Sequence, residues 1–110
     1  GNAYNFSKEV TTVYAQSMGL ALAQMGLRIN AVLPGPVETP ILADFEESMG
    51  KDTLDGVKDL LGRHAQPADV AAVVCFLASD AARWVNGQAL AADGGISGAV
   101  TTGVVPKPEI

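Results

Sequence analysis

Cysteine and histidine are almost absent: Cys75 and His64 each stand alone of their kind. A lone cysteine excludes an internal disulfide and a cysteine-based zinc cluster, and a lone histidine cannot build a multi-histidine metal centre. Cys75 lies inside an apolar helical run, where a reduced, buried thiol is expected, and a reducing cytoplasm fits that usage. Basic residues are also few, 7 against 12 acidic ones for a net charge of -5, and they are scattered singly from Lys8 to Lys107. No basic patch is offered to nucleic acid. The strongest apolar run, Met18 to Leu27, is too short for a membrane span and is interrupted by Gln24 and two glycines. No G-x-G-x-x-G phosphate turn occurs. The chain opens with neither a methionine nor a secretory signal, and position 4 already belongs to a helical pattern, so a piece of something longer is expected.

What is present is apolar. A hydrophobic fraction of 48% over 110 residues suffices for the core of one small domain. From Asn2 to Met25 the apolar residues form two helical stripes, Phe6, Val10, Val13 and Leu20 on one and Ala15, Met18, Leu22 and Met25 on another. Two stripes imply two burial partners. Gly19 in mid-helix points to a close approach, and Gly26 stops the helix. Arg28 to Leu33 predicts a buried parallel strand, and three prolines in the seven positions from Pro34 to Pro40 predict a rigid loop at its carboxyl end. In open α/β sheets ligands bind at that end.

Ile41, Phe45 and Met49, then Leu54, Val57 and Leu61, predict two short amphipathic helices, either a lid over the site or plain surface packing. Pro67 and Asp69 start a helix whose segment Val70 to Leu77 is apolar nearly all round and is expected to be deeply buried. Ser79-Asp80 ends it, and a short turn or helix runs through Trp84, a residue of packing or interface type. Asn86-Gly87 predicts a turn, Gln88 to Ala92 a strand, and Asp93-Gly94-Gly95 its close. Beyond Ile96 no periodicity is evident, so the tail is either disordered or packed on a neighbour. Asn30 is expected to satisfy backbone groups in the core, and Arg63 and His64 to hold satisfied structural roles.

Tyr4 and Lys8 lie four apart on the first helix and therefore share a face. A tyrosine hydroxyl has an ordinary pKa of about 10. A neighbouring ammonium favours the phenolate, so the proton becomes transferable nearer neutrality. Ser7, beside them in sequence, is on another face of the helix.

Tyr-x-x-x-Lys is followed in order by Asn30-Ala31-Val32-Leu33-Pro34-Gly35-Pro36-Val37-Glu38-Thr39-Pro40, Arg63 with Pro67, Phe76-Leu77-Ala78-Ser79-Asp80, and Gly87 with Asp93-Gly94-Gly95. Over about Asn2 to Gly95 this order resembles the carboxyl-terminal half of a short-chain dehydrogenase/reductase. The resemblance implies an α/β fold, the C-terminal part of a doubly wound parallel-sheet Rossmann domain covering 1–95, with 41–61 as substrate lid and 96–110 as a tail. It implies NAD- or NADP-dependent oxidation of an alcohol or reduction of a ketone. Tyr4 would be the general acid/base, and Lys8 would lower its pKa and bind the nicotinamide ribose. Pro34, Gly35, Val37 and Thr39 would join Tyr4 and Lys8 in holding the cofactor. A homodimer or homotetramer is implied for the complete protein, acting on a small-molecule alcohol or ketone, with no nucleic-acid or membrane partner. The family's phosphate-binding turn, its catalytic asparagine and serine, and the residue choosing NAD or NADP all precede the tyrosine and are absent here. The alternative is a non-catalytic remnant serving as an interaction or partner-subunit module. Two strands do not make an independently stable sheet, so the chain alone is expected to expose apolar surface and to associate.

Overall fold

The structure, a computed structural model, describes the backbone of residues 2–37 and 51–105 and the side chains of residues 6–37 and 55–105. Helix α1 (Asn2–Ala23) leads to strand β1 (Asn30–Pro34); α2 (Lys51–Leu61), α3 (Pro67–Ala78) and a 3-10 turn (Asp80–Ala82) precede β2 (Gln88–Ala92) and a short α4 (Ile96–Thr101). β1 and β2 pair in parallel, Asn30 opposite Gln88 through Pro34 opposite Ala92. Parallel neighbours require a crossover, and α2 and α3 lie within it. α1 and α3 each pack on both strands and make no extensive contact with each other, so they cover opposite faces. This is the C-terminal part of a doubly wound α/β sheet.

Local chemistry sets the element ends. α1 stops where Gly26 takes φ 76°, and Leu27 N–H donates back to the Leu22 carbonyl at 2.9 Å. That is a left-handed glycine cap. Arg28 then gathers the carbonyls of Leu77 at 2.8 Å, Val85 at 3.1 Å and Ser79 at 3.4 Å, closing the orphan end of α3 onto the approach to β1. At the other end of α3, the Gln66 N–H donates to Asp69 Oδ2 at 2.7 Å and Arg63 donates to the same carboxylate at 2.6 and 3.2 Å. The Arg63 hydrogen bond, the Gln66 N–H and the Arg63 charge outweigh a small desolvation and hold the Asp69 carboxyl below its ordinary value.

Two asparagines stitch the layers. Asn30 Nδ2 donates to the Val85 carbonyl at 3.1 Å and its Oδ1 accepts the Gln88 N–H at 3.0 Å, the backbone service expected of a core amide. Asn86 accepts the Ile29 N–H at 3.0 Å and donates to the Gly19 carbonyl of α1 at 2.8 Å. The close approach at Gly19 is real: a Cβ there would lie 2.9 Å from Gly87 Cα.

Several expectations change. Of the two stripes on α1, only the one carrying Ala15 meets the sheet; Phe6, Val13 and Leu20 are 68%, 60% and 75% exposed. Even on the sheet-facing stripe, Met25 lies beyond the helix and is exposed. α3 is not deeply buried. A two-stranded sheet covers only one side of it, so Leu77 is buried while Val74 and Phe76 are about half exposed and Cys75 is exposed rather than buried. Trp84, 96% exposed, is not packed among the described residues, which leaves the interface side of its reading. His64 is buried, but its Nδ1 finds no hydrogen-bond partner among the described residues, so it is not the satisfied side chain expected. Residues 96–101, read as aperiodic, form α4. β1 begins two residues later than expected, since Arg28 and Ile29 bond to helix and turn groups rather than to a strand. Of the two amphipathic helices expected in 41–61, α2 covers the second; the Ile41, Phe45 and Met49 repeat lies outside the described residues. Among the described residues no helix is long and apolar enough to cross a membrane, and no acidic, histidine or cysteine cluster has metal-ligand geometry.

Candidate active site at the carboxyl ends of the strands

β1 delivers Pro34 to its end opposite Ala92, and Gly35 and Pro36 follow as irregular backbone. A side chain at Gly35 would bring its Cβ 3.3 Å from the Cβ of Asp93, so the loop lies directly against the residue that ends β2. Val37 pairs in parallel with Ala65, and the Ala65 N–H donates to the Pro36 carbonyl at 3.2 Å. The loop is thereby fastened to the segment entering α3. Thr39 lies outside the described residues.

The direction of α1 decides where Lys8 stands. The chain reverses over residues 24–29, so α1 runs antiparallel to β1 and hence to β2. Its buried or half-buried side carries Lys8, Thr12, Ala15, Gly19 and Leu22, a single helical face. Gly19 touches Gly87 just before β2. From Gly19 to Lys8 the helix rises about 16 Å, the same length that β2 climbs from Gly87 to Ala92. Lys8 therefore stands level with the end of β2. Tyr4 occupies α1 one turn beyond, above the carboxyl ends of the strands. Lys8, Pro34 and Gly35 are thus gathered at one edge of the sheet, and Val37 leads away from it toward α3.

Asp93 completes this edge. Its Oδ1 accepts the Gly95 N–H at 3.0 Å and its Oδ2 the Ser97 N–H at 3.1 Å. Partial burial pushes its carboxyl up, but the Ser97 side chain, the backbone N–H groups of Gly95 and Ser97, and the Lys8 charge outweigh that and hold it below its ordinary value. Gly94, at φ 72°, lies under Leu61 of α2: an added Cβ would come 2.8 Å from Leu61 Cδ1. Asp93 had a place in the sequence pattern only as a turn residue; its link to Lys8 is tertiary and has no local sequence signal.

The family model described as enoyl-(acyl carrier protein) reductase matches residues 1–97. The 3-alpha-hydroxysteroid dehydrogenase/carbonyl reductase of Comamonas testosteroni is 36% identical over 95 residues, covering 86% of this chain and 37% of that protein. A short chain dehydrogenase family protein from Francisella tularensis subsp. tularensis SCHU S4 superposes with a TM-score of 0.71 at 30% identity, over 87% of this chain and 43% of the other. A variant of actinorhodin polyketide ketoreductase, solved with NADPH, gives a TM-score of 0.70 at 34% identity, over 84% of this chain and 39% of the other. The chain spans less than half the length of each of these three proteins. With the motif order, the parallel doubly wound architecture and these matches in agreement, the chain belongs to the short-chain dehydrogenase/reductase family.

Proposed function

We propose that this chain is the acid/base and nicotinamide-end portion of an NAD(P)-dependent oxidoreductase that interconverts a small alcohol and its ketone. The observation that carries the reading is the position of Lys8, level with the carboxyl end of β2 and one helical turn from Tyr4, at the same end of the sheet where Pro34 and Gly35 leave β1. The donor set fits a nicotinamide nucleotide. An ammonium suits ribose hydroxyls, and an irregular loop at the carboxyl end of a strand offers backbone N–H and C=O groups to a carboxamide. Tyr4, Lys8, Pro34, Gly35, Val37 and Thr39 would hold it; when bound, the nicotinamide supplies or accepts the hydride. Tyr4 protonates the carbonyl oxygen in reduction and takes the hydroxyl proton in oxidation. Lys8 stabilises the phenolate through charge, bringing Tyr4 into working range.

Residues 1–95 act as the C-terminal portion of the dinucleotide-binding domain, with 41–61 as the substrate lid and 96–110 as a tail. Leu61 over Gly94 supports the lid assignment, because it ties the end of α2 to the edge of the site. The exposed Phe6, Val10, Val13 and Leu20 stripe supports coverage of α1 in the complete protein, as a homodimer or homotetramer requires. The unpaired thiol Cys75 accords with a cytoplasmic location.

The test uses the full-length protein, with nicotinamide absorbance followed against a panel of ketones and secondary alcohols. Turnover is expected, Tyr4→Phe lowering kcat at least about 100-fold while cofactor still binds. Bound cofactor with no turnover of any panel member, or a Tyr4→Phe variant of undiminished rate, would overturn the assignment.

A further inference from the structure

We propose that Asp93 tunes the acid/base pair from outside it: a fixed carboxylate at the height of Lys8 whose charge limits how strongly Lys8 acidifies Tyr4. The proposal rests on the Tyr4/Lys8 reading above. Three independent features place Asp93 for this task. It follows the last residue of β2 directly, at the level to which the antiparallel rise of α1 brings Lys8. It touches the loop leaving β1, where a Gly35 Cβ would lie 3.3 Å from its own Cβ. Both of its oxygens are anchored by backbone N–H groups, Gly95 at 3.0 Å and Ser97 at 3.1 Å. An anchored carboxylate keeps its charge in one place, and the Lys8 charge is felt there.

The surroundings give this pair little competition. Pro34 and Gly35 at the end of β1, Leu61 at the end of α2, and Ser97 on α4 are all uncharged, so among these neighbours Lys8 on α1 is the charged group facing Asp93. The consequence has a definite sign. A negative charge beside Lys8 offsets part of the positive potential that Tyr4 experiences. Removing it leaves the full effect of the ammonium on the phenol, so tyrosinate forms at lower pH.

The experiment compares the full-length protein with Asp93→Asn and Asp93→Ser, two neutral replacements whose oxygen still accepts the Gly95 N–H in the turn. Two quantities are read: the Tyr4-dependent limb of kcat/KM against pH in the oxidation direction, and tyrosinate absorbance of the cofactor-free protein, taken as the difference from Tyr4→Phe. Both are expected to move to lower pH by about half a unit. An unmoved limb with Tyr4→Phe inactive overturns the role of Asp93 and leaves the acid/base reading standing. An active Tyr4→Phe overturns the reading itself. If both neutral variants fail to fold, the carboxylate is an architectural requirement and the proposal also falls.

Discussion

At the residue scale, single side chains hold layers together in ways that differ in how far the sequence exposes them. Asn86 bridges β1 and α1 through Ile29 and Gly19. Asn86→Ala leaves the Ile29 N–H unpaired in a half-buried seam and removes the second bond to the Gly19 carbonyl, which keeps its partner within α1; a cost of about 2 kcal/mol is expected, read as a lower midpoint in urea. Gly19→Ala forces a Cβ to 2.9 Å from Gly87 backbone, which no side-chain rotation relieves. A loss of about 1 to 3 kcal/mol is expected, measured by thermal unfolding. Asp69 and Asp93 both have depressed carboxyl pKa values. Their stabilising contribution is complete above the unfolded value of about 4 and is lost as pH falls through the folded values. Lower exchange protection at Gly95, Ser97 and Gln66, relative to the unstructured rate at the same pH, is expected below pH ~4, with protection constant between pH ~5 and ~7. Gly19 was legible because a glycine in mid-helix has no other good reason to be there. Asn86 read only as half of a turn, because its two partners lie 57 and 67 residues away.

At the element scale, periodicity and end signals placed the long helix, both strands and α3, since glycine caps, Pro67 and Asn86-Gly87 are local and strong. Burial was less legible. An apolar stripe states that an element prefers cover, and whether cover exists is a property of the rest of the fold. α3 shows this: its Leu77 side finds the sheet, and its Cys75 side faces outward. The same limit applied to the site. Tyr4 and Lys8 share a helix and could be paired by spacing, whereas the height of Lys8 against β2 depends on the Gly19–Gly87 contact. Arg28 is a further case, reading as the first residue of a strand while its guanidinium serves three carbonyls around the end of α3. Arg28→Lys keeps the charge but loses the planar fork. A loss of about 1 to 2 kcal/mol, with exchange protection lost first at the end of α3, is expected from hydrogen-exchange measurements.

At the scale of the whole molecule, the two strands found among the described residues and a helix with one outward apolar face do not make a self-sufficient unit. The 110-residue chain on its own is expected to self-associate, with sedimentation velocity showing species larger than the monomer. Phe6→Lys together with Leu20→Lys on the outward face should reduce that association while leaving the helix formed. The parallel pairing carries a further consequence, one of time. Asn30 waits for Gln88, 58 residues later, before β1 has its neighbour. At a synthesis rate of about 5 to 20 residues per second the wait is about 3 to 12 s. Throughout it α1 and β1 are outside the ribosome or in its exit path without β2, and the acceptors of Arg28 arrive only near its end, Leu77, Ser79 and Val85 lying 49, 51 and 57 residues after it. The last quarter of the chain thus acts as the clasp on what was made first, and slow decoding between β1 and β2 would lengthen the interval in which chaperones must hold it.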